Sequence, residues 1–257
     1  MKEIIPLINT IEVENYHEPF VGSATVFLNI SVSDKVFLSD SNESLINFYF
    51  QVQNNLEPLI EIIQGKENSE AFFYSERQKL YNCAIAKAAQ FYFLNRTCFN
   101  GIYRVNSEGK FNVPYGRRYE LVVADISNLN KLKEKLKGIK INSGDFTKSS
   151  KNIKAGDLVY FDPPYSSLTN TKSFLMYNET LFSWNDQVRL KDFCEKLISK
   201  DVKIILNNLY NEEVYKLFCT ELGLKAKVTT RFSGVGSQQS SRGQIKEYLF
   251  TNLDLMK

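Results

Sequence analysis

The sequence predicts an α/β protein: a mostly parallel sheet with helices on both faces, interrupted by an inserted, mainly helical domain with a β-hairpin. Three observations predict it. Apolar runs ending at a polar residue recur at Lys35–Asp40, Asp157–Phe161 and Val202–Leu206, the last two leading into Asp162 and Asn207. Helical periodicity stands among them, at Ser41–Tyr49 and at Trp184–Lys200. Residues 53–135 abandon the alternation. The expected division is therefore residues 1–52 with 136–257 as one domain and residues 53–135 as the insert.

The elements follow in order. Glu18 to Thr25 reads Glu-Pro-Phe-Val-Gly-Ser-Ala-Thr, a strand end, a tight turn at Gly22 and a helix start. A glycine there lets backbone approach a ligand closely. Lys35–Asp40 is a short apolar strand whose terminal carboxylate lies roughly 20 residues beyond the turn, where a βαβ unit places the acid that binds ribose hydroxyls. Gly144-Asp145-Phe146 closes a further apolar segment, and the tail Lys246–Thr251 alternates like a strand. In such a sheet ligands belong at the carboxyl ends of the strands, where Gly22, Asp40, Asp162 and Asn207 are expected. Asn207-Asn208 and Trp184 read as structural residues.

The insert begins helical and aromatic, with Phe72, Phe73, Tyr74, Tyr81, Phe91, Tyr92 and Phe93. A polar ribbon from Asn95 to Arg118 follows, with Arg96, Arg104, Lys110, Arg117 and Arg118 set against the one acid Glu108. Arginines interleaved with aromatics suit a surface that pairs with phosphates, reads base edges and wedges into a stack. A solvated hairpin with a buried aromatic side is the competing reading. The lysine-rich run Lys131–Lys154 reads as a solvated helix and loop, with nonspecific phosphate attraction as the lesser alternative.

Composition sets outer limits. With 257 residues and 43% hydrophobic content the chain can bury a real core. A net charge of +3 announces no global basic field, so any nucleic-acid footprint must be local. No apolar run could span a membrane and no leader is evident, so a cytoplasmic, monomeric protein without membrane partners is expected. Cys83, Cys98, Cys194 and Cys219 are spaced unlike a zinc knuckle and read as reduced thiols. The only histidine, His17, reads as a packing residue. No metal site is expected.

Asp162-Pro163-Pro164-Tyr165 carries the most chemistry. The prolines fix φ and withdraw two donors, leaving rigid carbonyl acceptors beside the Asp162 carboxylate. Together these can hold an exocyclic amino group, while the Tyr165 ring offers a face to a flat heterocycle. That combination points to S-adenosylmethionine-dependent methylation at the amino nitrogen of a base. A plain proline turn at a strand end is the bland alternative.

With Glu18-Pro19-Phe20-Val21-Gly22, Asp40 and Asn42, Asn100–Arg104, Phe111–Arg117, Asp162–Tyr165 and Ser241-Arg242-Gly243 with Glu247, the chain resembles the Dam-type DNA adenine-N6 methyltransferases, a D12 class with GATC-modifying members. The resemblance runs the length of the chain. It implies a Rossmann-like methyltransferase sheet plus a target-recognition insert, and base flipping at a short duplex DNA site, GATC. Phe20, Gly22, Ser23, Asp40, Asp145, Phe146 and Asp162 would line the S-adenosylmethionine site. Asp162, Pro163, Pro164 and Tyr165 would be catalytic. Arg96, Phe99, Asn100, Ile102, Arg104, Pro114, Arg117 and Arg118 would touch DNA, Phe99 and Asn100 filling the gap left by the flipped base. Double-stranded DNA is the implied partner, with room for a cognate restriction endonuclease in the same system. Three departures stand out. Relatives open with a Lys-Trp-x-Gly-Gly-Lys-like clamp, and Met1–Pro6 aligns just after it. They commonly carry a second glycine where this chain has Ser23-Ala24, and often a tyrosine at Arg118. An alternative expectation is therefore a degenerate DNA-binding relative with weak or no methyl transfer, because the clamp is missing.

Overall fold

The computed structural model describes residues 3–31, 35–164, 182–233 and 243–254. Seven strands, β1 (Asn15–Glu18), β2 (Lys35–Asp40), β3 (Lys140–Ser143), β4 (Leu158–Phe161), β5 (Lys203–Leu209), β6 (Lys225–Ser233) and β7 (Gly243–Thr251), form one sheet in the order β3-β2-β1-β4-β5-β7-β6. Pairings β1–β2, β1–β4 and β4–β5 are parallel, whereas β7 runs antiparallel to both β5 and β6. The expected α/β sheet is present, closed at one edge by two antiparallel strands.

The chain leaves β1 for β2 on one side and later enters β4 on the other, so the connection order reverses between β1 and β4. A crevice opens at the carboxyl ends of strands at such a reversal, and ligands of open α/β sheets bind there. β4 sits beside it with Leu158, Val159, Tyr160 and Phe161 all buried. A strand buried on both faces reads as an unbroken apolar run, which is why this one was plain in the sequence.

Contacts divide the chain into two compact units, residues 1–41 with 144–257 and residues 42–143. The first unit packs Phe146, Val159, Phe161, Leu190, Phe193, Leu206 and Phe250 into its core. It also holds α1 (Ile4–Thr10), α2 (Thr25–Asn29) and α8 (Trp184–Ile198). Ser183 and Asp186 form a reciprocal capping box at the start of α8, satisfying donors that the first helical turn leaves open. His17 is buried, stacked on Phe37, and 2.9 Å from Asp157 Oδ2 through Nε2, a packing role.

The second unit contains α3 (Glu43–Asn54), α4 (Leu56–Gln64), α5 (Glu70–Gln78), α6 (Ala84–Thr97) and α7 (Ile126–Leu136). Asn42 caps α3 by accepting from the Ser44 and Leu45 amides. Val52, Leu56, Leu59, Ile63, Phe73, Ala88, Ala89 and Phe93 are fully buried. Among them lies the ion pair Lys66–Glu76, where Tyr81 also donates to Glu76 at 3.0 Å. After α6, the polar ribbon is an antiparallel excursion held by isolated bridges, Cys98 with Tyr115 and Val105 with Phe111, rather than by a continuous ladder.

Candidate active site

The turn after β1 is built on a glycine in the left-handed region. Gly22 has φ +45°, and its amide donates to Asp40 Oδ2 at the end of β2, 3.0 Å away. A Cβ at Gly22 would meet no atom within 4 Å, so the space beside this backbone is open. Val21 N donates to Ser39 O at 3.0 Å, tying the same turn to β2. Ala24 adopts φ 56° and starts α2 from a strained conformation. Ser23 Oγ lies 2.7 Å from Thr25 Oγ1 on the exposed side of the turn.

Asp40 also anchors the third piece of this crevice. Its carbonyl accepts from Gly144 N at 2.9 Å, which brings Asp145 and Phe146 alongside. Phe146 packs 5.3 Å from Phe20, and both meet Phe182. Above Phe146 lies the Arg189 guanidinium of α8, 5.1 Å from the ring centroid. Arg189 donates to Asp145 Oδ2 at 2.8 Å and to Asp186 Oδ1 at 2.7 Å, while Thr147 N and Oγ1 donate to Asp145 Oδ1. Partial burial works to raise the Asp145 carboxyl, but the bonds from Thr147 and Arg189 outweigh it and hold it below the usual range. Arg189 was not foreseen: a lone arginine on an amphipathic helix carries no sequence signal of what it stacks against.

Asp162 follows β4 directly and is half-buried; Pro163 is buried and Pro164 exposed. Tyr165 lies outside the described residues, as do Ser241 and Arg242. Asn207 Nδ2 donates to Asp162 Oδ1 at 3.2 Å and to Glu247 Oε2 at 3.3 Å. From β1, buried Glu18 accepts from the Tyr16 hydroxyl at 2.8 Å. Burial, with the Asp162 charge adding to it, pushes the Glu18 carboxyl up to about 8, against opposing bonds from Tyr16 and the Phe27 amide. Glu18 is consequently protonated at neutral pH, and Asp162 has a neutral acid for its neighbour.

The second unit presents the predicted reading residues together. Phe99 is 42% exposed at the base of the ribbon, next to the Cys98–Tyr115 bridge, and its amide donates to Pro114 O at 2.9 Å. Asn100 follows at φ 55° and Arg117 at φ 52°, left-handed positions that turn the chain sharply. Arg104 Nε donates to Asn112 Oδ1 at 2.7 Å, and Ile102 is half-buried beside it. Arg96 is tethered to Asp125 and the Val122 carbonyl, Arg118 donates to Arg96 O, and Arg117 lies 3.5 Å from Glu70. Arg104 and Arg118 thus bond within the ribbon as well as bearing its charge, while Arg96 and Arg117 pair with residues outside it.

Among the described residues no three His, Cys, Asp or Glu side chains gather as a metal site, and no helix is long and apolar enough to cross a membrane. A family model described as D12 class N6 adenine-specific DNA methyltransferase matches residues 1–231. The Type II methyltransferase M1.LlaDCHI of Lactococcus lactis subsp. cremoris is 38% identical, covering 98% of this chain and 92% of its own. The Type II methyltransferase M.MjaIII of Methanocaldococcus jannaschii is 35% identical over 93% and 89% respectively. The DNA adenine methylase of Salmonella typhi is 31% identical over 74% and 70%. Among solved structures, a precorrin-6y C5,15-methyltransferase from Geobacter metallireducens aligns with 9% identity and a TM-score of 0.42, covering 96% of this chain and 83% of that one.

Proposed function

The chain belongs to the D12 class N6 adenine-specific DNA methyltransferases, and from that premise we propose that it methylates adenine at N6 in duplex GATC by flipping the base. The observation that carries the reading is the carboxylate Asp162, set at the carboxyl end of buried β4 beside the strand-order reversal and restrained by Asn207.

S-adenosylmethionine, when bound, supplies a methyl group on a sulfonium, the electrophile of the reaction. The residues present suit it. Gly22 leaves backbone open to close approach, Asp40 offers a carboxylate to ribose hydroxyls, and Phe20, backed by Phe146, offers an apolar wall to an adenine ring whose amino group can donate to Asp145. Ser23 adds a hydroxyl at the rim.

The target amino group is held by Asp162 and by carbonyl oxygens of the proline pair, which accept its hydrogens. Those bonds draw the nitrogen lone pair out of conjugation with the ring and aim it outward. The proton leaves to water afterwards, so the site needs no strong base. Orientation supplies much of the acceleration, up to ~7–11 kcal/mol in well-aligned reactions. Tyr165 stacks on the flipped adenine in this reading.

Removing a base from the duplex costs on the order of a few kcal/mol. Phe99 offsets part of this by stacking in the vacated place, worth about 1–3 kcal/mol per base. Arg96, Arg104, Arg117 and Arg118 meet phosphates and guanine edges, while Asn100, Ile102 and Pro114 complete the contact surface. The names of the type II relatives support service beside a restriction endonuclease.

The test is transfer of labelled methyl to unmethylated duplexes with and without GATC, beside an Asp162→Ala protein. Label confined to adenine in GATC and absent with the variant is expected. Transfer by Asp162→Ala at near-normal rate would sink the assignment.

A further inference from the structure

Asp162, half-buried, and the buried Asn207 and Glu247 line up across the sheet, where the sequence had read the asparagine as structural. The parallel register pairs Phe161 with Leu206, so Asp162 and Asn207 come next in step on β4 and β5. The antiparallel register pairs Asn207 with Leu249 and Leu209 with Glu247. Side chains two residues apart on a strand share a face, so Glu247 emerges on the same side as Asn207. Asn207 and Glu247 are each only 4% exposed. Asn208, one residue on, faces the opposite side, where its Nδ2 donates to Gln187 Oε1 of α8 at 2.9 Å.

We infer that Asn207 is a positioning residue that fixes the orientation of the Asp162 carboxylate by bridging it to Glu247. The inference rests on the reading of Asp162 as the group that holds the target amine. An amide suits the task because its one nitrogen carries two N–H donors, enough to serve two carboxylates at 3.2 and 3.3 Å. Aspartate here would set a third carboxylate against the other two. Leucine would leave both facing each other with no donor from this position. Glu247 works as the far anchor: rigid on β7, it keeps the Asn207 side chain in the rotamer that reaches Asp162. With Oδ1 of Asp162 held from the side of β5, the orientation of its second oxygen toward a substrate amine is set before substrate arrives. Such preorganisation acts on the chemical step and leaves affinity for DNA and donor largely untouched.

The experiment is single-turnover transfer at saturating DNA and S-adenosylmethionine, with donor affinity and melting temperature measured on the same proteins. Asn207→Ala is expected to lower the rate about 100-fold, the scale of a 1 Å misplacement, with donor affinity within about threefold. Glu247→Ala should lower it too, and Glu247→Gln should restore it, because the glutamine oxygen still accepts from Asn207. The Asn207→Ala, Glu247→Ala double variant should be no slower than Asn207→Ala, since both act through one carboxylate. Asn208→Ala should melt earlier yet transfer at the normal rate. Wild-type rates in Asn207→Ala and Glu247→Ala, or losses that follow melting temperature as in Asn208→Ala, would overturn the inference alone, provided Asp162→Ala is inactive. An active Asp162→Ala would overturn the reading of Asp162 and this inference with it.

Discussion

The Gly22 amide donates to the Asp40 carboxylate across 3.0 Å, joining the turn after β1 to the end of β2. Two substitutions probe this joint differently. Gly22→Ala places a methyl in open space, so its structural cost is the left-handed backbone alone, about 1–2 kcal/mol. Asp40→Ala removes a charged acceptor from both the turn and the proposed ribose contact, a loss of roughly 1.5–3 kcal/mol. Titration with S-adenosylmethionine should show at least tenfold weaker binding for Asp40→Ala. Gly22→Ala should remain folded and weaken donor binding as well, because the methyl occupies the space left for close approach. Normal donor affinity in both would remove this turn from the site.

Arg189 stacks on Phe146 and bonds Asp145, so Asp145 stays ionised to lower pH than an ordinary carboxyl. Arg189→Met keeps an apolar stem over the ring and removes the charge. The Asp145 carboxyl should then rise toward its ordinary value. If ionised Asp145 accepts from the donor's adenine, binding should be lost at higher pH in the variant as acidity increases. Calorimetric donor titrations from about pH 2.5 to 6, spanning the ordinary aspartate value of about 3.9, would show the acid limb moving upward. An unmoved limb would mean that Asp145 plays no part in holding the donor.

Much of this architecture was legible in the sequence because it rests on local signals. The Gly22 turn, the strand ending at Asp40 and the apolar run before Asp162 each combine a periodicity with a polar stop. β6 was not read: its residues Lys225–Ser233 alternate in a polar, edge-like pattern whose pairing to β7 depends on partners distant in sequence. β3 was expected as an apolar segment, yet Lys140–Ser143 is largely exposed. Asn207 was read as structural because a contact between residues 45 apart leaves no trace in spacing. Arg189 escaped for the same reason: its partner Asp186 is local, but Asp145 lies 44 residues away and is reached only through the packing of α8.

Glu18 makes stability depend on pH with an uncommon sign. Its folded carboxyl is raised to about 8, chiefly by burial and further by the Asp162 charge. Between about pH 4.3, where the unfolded chain releases this proton, and pH 8 the folded state binds it and the unfolded state does not. Stability from this residue therefore falls as pH rises through that window and levels above it. Glu18→Gln is neutral throughout and retains an oxygen for the Tyr16 hydroxyl. Denaturation midpoints should put the variant close to wild type at pH 5 and above it at pH 8. A constant difference at every pH would show that Glu18 does not hold its proton in the folded protein.

Gly116 offers a way to disturb the ribbon without touching a side chain proposed to read DNA. A Cβ there would lie 2.5 Å from the Cys98 carbonyl oxygen and 2.9 Å from that of Thr97. Both neighbours are backbone, so neither can swing aside as a side chain would. The Gly116 amide also donates to Thr97 O at 2.9 Å, beside the Cys98–Tyr115 bridge and the Phe99-to-Pro114 bond. Gly116→Ala must therefore push the strand carrying Pro114 and Arg117 away from the one carrying Phe99 and Asn100. Overpacking of this kind typically costs about 1–3 kcal/mol. The residues proposed to bind the donor belong to the other compact unit, residues 1–41 with 144–257. The variant should accordingly bind S-adenosylmethionine as wild type does, while its affinity for a GATC duplex falls at least tenfold in a fluorescence anisotropy titration. Unchanged duplex affinity would remove the ribbon from the reading surface; a parallel loss of donor binding would mean general unfolding instead, and circular dichroism on the same samples separates the two.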